Sequence, residues 1–100
     1  MADLHDESLR RRNETEQARL DFIRADLDTC FTYASLVETA YNFGSREHAE
    51  RTLAAAEKGY SDLLRLFTKA RGLTAEVERE LESRFIQLRE RLDGLQGHGK

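Results

Sequence analysis

Proline is absent from all one hundred residues, and three of the six glycines fall within the last seven positions. Proline inside a helix costs about 3 kcal/mol and glycine about 1, so long stretches carry nothing that interrupts helix. Where the helices lie is then decided by the apolar residues. Leu20, Ile23, Leu27, Cys30, Ala34, Val37 and Tyr41 recur in alternating steps of three and four, which gathers them on one stripe of a helix. A second such series is Ala49, Leu53, Ala56, Tyr60, Leu63, Phe67 and Ala70; a third is Val77, Leu81, Phe85, Leu88 and Leu92, with Ile86 to one side. The chain is therefore expected to be all-α, one domain over 14–93 with helices over 14–43, 46–71 and 75–92. Residues 1–13 read as a polar, flexible N-terminus and 94–100 as a flexible tail in which Leu95 alone is suited to pack.

Punctuation falls where three helices need it. Gly44 follows the last apolar residue of the first helix, in the place of a left-handed cap. Ser45 offers an N-cap hydroxyl and Glu47 a carboxylate in the first turn. Gly72 closes the second helix, whose last turn holds Lys69 and Arg71, and Thr74 caps the third. Connections this short force consecutive helices to run antiparallel, giving an up-down-up bundle. At 1.5 Å per residue the three rods are roughly 45, 39 and 27 Å long. The third is too short to cover the other two, which leaves an open pair of helix ends or a place for a second copy.

The stretch 33–56, YASLVETAYNFGSREHAERTLAAA, is the hairpin on which the rest is arranged. From Tyr33 the first helix carries a second apolar series, Tyr33, Leu36, Ala40 and Phe43, so this half is apolar on two sides. A helix with one partner buries one stripe, so these four residues are the candidate partner-binding site. The hairpin resembles one tetratricopeptide repeat. Tyr33 and Leu36 match its aromatic-x-x-Leu opening, Gly44 its turn, and Ala49, Leu53 and Ala56 the small-large-small order of its second helix. The pattern is departed from at Val37, Ala40 and Ser61, where that family has glycine, tyrosine and proline. The resemblance covers about a third of the chain and implies a single repeat-like hairpin with a third helix as cap. In plan it is similar to microtubule-interacting and trafficking domains, three-helix bundles that bind partner helices in a groove.

Charged residues make up 35% and apolar ones 39%, a mixture that suits amphipathic helices around one core. No run approaches the roughly 20 apolar residues of a membrane span, and MADLHDESLRRR has no apolar segment for a signal peptide, so a cytoplasmic protein is expected. Cys30, the only cysteine, stands in an apolar run beside Phe31 and reads as a buried, inert thiol. A net charge of −3 gives no general electrostatic case for nucleic acid. Arg10, Arg11 and Arg12 are the one basic run, flanked by Asp6, Glu7, Glu14 and Glu16, and read as a solvated helix start; with arginines of the second helix they carry the alternative of a nucleic-acid accessory protein.

Chemistry-bearing patterns are scarce. The residues three before His5, His48 and His98 are Ala2, Ser45 and Leu95, so no Glu-x-x-His metal motif exists. No phosphate loop or nucleophile elbow is present. Asp26 and Asp28 point some 200° apart around a helix and do not converge with Asp21. Tyr33, Tyr41 and Tyr60 lie on apolar stripes. The expectation is a non-enzymatic protein-protein interaction module without cofactor, metal or small-molecule substrate, its partner a protein, a peptide or a second copy of itself.

Overall fold

The computed structural model describes the backbone of residues 2–98 and the side chains of residues 15–97. It holds three α-helices, and among the described residues no strand: α1 Ala2–Asn42, α2 Arg46–Lys69 and α3 Ala75–His98. The all-α class read from the sequence is what the chain adopts.

The two glycines placed at the turns both have positive φ, 77° at Gly44 and 72° at Gly72, a region in which a Cβ would be strained. At the first turn Ser45 N–H donates to the Ala40 carbonyl at 2.8 Å and Gly44 N–H to that of Tyr41 at 3.0 Å. This is the paired closure of a Schellman motif, and it satisfies two carbonyls that the end of α1 leaves open. Ser45 itself departs from expectation: its hydroxyl makes no cap bond, and toward α2 it offers its carbonyl, which accepts from Ala49 N–H at 2.9 Å. Thr74 does cap α3, its Oγ1 accepting from Val77 N–H at 3.2 Å.

Helix lengths differ from those expected. α1 begins at Ala2, well before residue 14, and α2 stops at Lys69, where Ala70 turns extended with ψ 140°. α3 continues through Gly94 and Gly97 to His98. Two contacts explain that continuation: Leu95 is buried at 7% exposure, and the Gln96 amide donates to Glu57 Oε1 on α2 at 3.1 Å. Packing thus outweighs the propensity cost of two glycines. With 41 residues against 24 and 24, α1 outruns both neighbours by roughly 25 Å. Among the described residues its first core residue is Ile23, so the surplus lies on its N-terminal side.

The core follows the three stripes. Ile23, Leu27, Ala34 and Val37 of α1 meet Ala49, Leu53, Ala56 and Leu63 of α2 and Leu81, Phe85, Leu88, Leu92 and Leu95 of α3. α1 and α2 share the most extensive contact. Small residues make that possible: Ala49 and Ala56 are wholly buried, and Gly59 sits so near Cys30 that a Cβ there would lie 3.0 Å from its sulfur. α3 is fastened to α1 by Arg24 to Glu80 at 2.8 Å, Arg84 to Asp28, and Arg91 to Ser35 at 2.9 Å, partners in each case 56 residues apart.

Candidate interaction surface

Of the four residues expected to form a partner-binding flank, three face solvent and one does not. Phe43 is 83% exposed, Leu36 48% and Tyr33 38%, while Ala40 is 6% exposed and belongs to the core. Its position explains this: Ala40 follows the buried Val37 by three residues and so shares the inner side of α1. A residue absent from the expected flank joins it instead: Phe22 is 51% exposed. Phe22 and Leu36 of α1 and Phe43, which follows its last residue and still donates its N–H to the Thr39 carbonyl, are separated by multiples of seven residues, so they share one side over about 31 Å. The spacing is present in the sequence, but charged neighbours at Asp21 and Arg24 mask Phe22 as an isolated aromatic.

A second apolar concavity lies between α2 and α3. Tyr60, Leu64 and Phe67 from one helix and Phe85 and Ile86 from the other line a cavity of about 330 Å³, edged by Glu82, Arg89 and Glu90. The Phe85 ring meets Tyr60 edge-on at 5.8 Å and Phe67 at 5.3 Å, so the aromatic walls support one another. Ile86, 58% exposed, forms its outer lip. Sequence periodicity assigns these aromatics to the core and gives no sign that α2 and α3 part enough to leave a groove.

At one end of that groove Arg89 forms a bidentate pair with Glu57, at 2.8 and 2.6 Å, and donates also to Asp93 at 3.0 Å. Its guanidinium lies 4.9 Å above the Tyr60 ring. The hydrogen bond from Arg89 holds the Glu57 carboxyl below its usual range, against the opposing effect of burial, with Gln96 assisting. Arg89 is correspondingly raised, first by its hydrogen bond to Glu57. These charges are engaged with one another and act as a clasp between the helices.

The remaining sequence candidates are scattered. Asp21 accepts from Gln17 at 3.0 Å, Asp28 pairs with Arg84, and Asp26 acts on the Cys30 thiol, which is pushed up first by burial and then by that carboxylate. His48 is exposed at the start of α2. Among the described residues no group of three or more His, Cys, Asp or Glu is placed to hold a metal ion, and no helix is long and apolar enough to cross a membrane. The side chains of His5, Arg10, Arg11, Arg12 and His98 lie outside the described residues. Arg46 of α2 is taken up by Glu50 at 3.1 Å. No family model, no curated protein and no solved structure matches this chain.

Proposed function

We propose that the chain is a small non-enzymatic protein-protein interaction module that binds a partner helix, peptide or second copy of itself through the exposed side of α1. One observation carries this reading. α1 has its inner stripe covered by α2 and α3 and still presents Phe22, Leu36 and Phe43 to water. An apolar row this long on a small domain marks a surface that is covered when the protein works.

The bundle is read as up-down-up. Partners 56 residues apart at three levels support α1 and α3 advancing in the same direction, and the apposition of Cys30 and Gly59 supports α2 running back between them. Buried Ala49 and Ala56 flanking Leu53 support the tetratricopeptide-like character of the hairpin. A single unpaired and buried cysteine fits a reducing compartment, and we place the protein in the cytoplasm.

The test is affinity capture with the wild-type chain and with Leu36→Glu, an exposed position at which a carboxylate is tolerated by the fold. Proteins retained by the wild type, the chain itself included, should be lost from the variant while circular dichroism at 222 nm stays unchanged. Recovery of the same set by both proteins would remove the α1 face from consideration.

A further inference from the structure

The exposed side of α1 is more regular than its large residues alone reveal. Ala18, Phe22, Ala25 and Thr29 follow one another in steps of four, three and four. Thr32, Leu36, Thr39 and Phe43 continue the alternation without a break. All eight are exposed and none is charged, on a helix that is otherwise rich in charge. This is an a/d seam of 3.5-residue period extending about 37 Å, distinct from the stripe that faces the core.

The threonines of the seam are prepared for burial. Thr29, Thr32 and Thr39 each donate their hydroxyl proton to the carbonyl four residues earlier, those of Ala25, Asp28 and Ser35, at 3.1, 3.1 and 3.0 Å. A threonine bonded in this way has its donor satisfied within its own helix and offers its methyl outward. Covering the seam therefore strands no hydroxyl donor.

We infer that a second copy of this chain covers the seam, α1 against α1 in antiparallel order about a two-fold axis between Cys30 and Phe31; the inference rests on the reading of this face given above. Side-chain size selects that order. In it Phe43 meets Ala18, Phe22 meets Thr39, Leu36 meets Ala25, and Thr29 meets Thr32. Every bulky residue faces a small one, and the helices keep a constant separation. A parallel pair stacks Phe22 on Phe22 and Ala25 on Ala25, alternating wide and narrow layers that straight helices do not fill.

Charge selects the same order. Residues flanking an antiparallel seam meet their own kind of position on the other copy, which sets Asp21 beside Asn42, Asp26 beside Tyr33, and Asp28 beside Ser35. Each carboxylate thus faces a neutral group able to donate a hydrogen bond. The parallel order instead sets Asp21 against Asp26 on both sides, a like-charge contact. As for area, at 150–250 Å² for a whole aromatic side chain, the exposed parts of Phe22, Tyr33, Leu36 and Phe43 offer on the order of 400 Å² per copy. With the methyls of the seam this moves toward the ~800 Å² per partner of a standard interface, which places the dimer among the smaller interfaces.

Sedimentation velocity of the full chain from about 1 to about 200 µM reads the outcome. The wild type is expected to pass from 11.5 kDa toward twice that mass. Leu36→Glu and Ala25→Lys should each weaken dimerisation by at least ~30-fold. The double variant Ala25→Lys with Leu36→Glu should recover most of the wild-type affinity, because the ammonium introduced at position 25 of each copy then meets the carboxylate introduced at position 36 of the other. Thr32→Arg beside the axis is the second disrupting variant should Leu36→Glu lose helicity. A wild type that stays at 11.5 kDa throughout overturns self-association, and captured partners sensitive to Leu36→Glu would still uphold the wider reading. A dimer indifferent to Leu36→Glu and Thr32→Arg overturns the seam. Single variants that dissociate with no recovery in the double overturn the antiparallel order.

Discussion

Gly59 offers the sharpest test of how α1 and α2 meet. It lies inside α2, where alanine is the better helix former by about 1 kcal/mol. A Cβ at this position, however, comes within 3.0 Å of Cys30 Sγ, and Cys30 is 4% exposed, so the sulfur has little room to give way. Overpacking of that kind costs about 1–3 kcal/mol. Gly59→Ala is therefore expected to destabilise the protein by about 1 kcal/mol net. In a Cys30→Ala background the obstacle is gone, and the same substitution should stabilise by about 1 kcal/mol, so the coupling across the cycle is about 2 kcal/mol. Urea denaturation followed at 222 nm for the four proteins measures it. All four are compared at one protein concentration, because association adds to apparent stability. Equal stabilisation by Gly59→Ala in both backgrounds, with coupling under about 0.5 kcal/mol, would refute the close approach of the two helices at this level.

Caps provide a paired prediction: Thr74→Ala should lose about 1 kcal/mol by the same urea assay, while Ser45→Ala, whose hydroxyl caps nothing, should stay within about 0.3 kcal/mol of wild type. Arg89→Ala removes the bidentate bond to Glu57 and the cation above Tyr60, and should cost about 1–2 kcal/mol at neutral pH. Its pH dependence has a definite sign. Glu57 is depressed in the folded state, so its contribution is complete above the unfolded value of about 4.3 and is lost as pH falls through the lower folded value. Stability of the wild type should therefore drop more steeply below about pH 4 than that of Arg89→Ala, as read from urea midpoints across an acid series.

Most of the fold was legible because the determinants are local. Period alone identified Leu81, Phe85, Leu88 and Leu92 as inward residues, and all four are buried. Glycines at 44 and 72 marked turns because few other residues tolerate positive φ, which both adopt. What escaped the reading depends on contacts between helices. Nothing local states that Gln96 reaches Glu57, and without that contact Gly94 and Gly97 look like an end. The α2–α3 groove was hidden for the same reason: Tyr60, Phe67 and Phe85 have the period of core residues, and only the distance between two helices decides whether they close on each other or line an opening. The outer side of α1 was half legible. In the sequence Leu36 and Phe43 stand in a series with Ala40, yet Ala40 belongs to the core, and the exposed row passes through Thr39 and extends back to Phe22.

α1 serves two faces at once, an inner stripe from Ile23 to Val37 and an outer row from Phe22 to Phe43, with bridges to α3 that share a single 56-residue separation. Point substitutions can change one face and leave the other alone. An insertion or deletion cannot: one residue added between 23 and 37 turns everything beyond it by about 100°, moving core positions outward, seam positions inward and the bridges out of step together. An inserted or deleted residue is consequently expected to be tolerated in the two turns and at the ends of the helices, and not in the middle of α1, where both faces depend on the residue count.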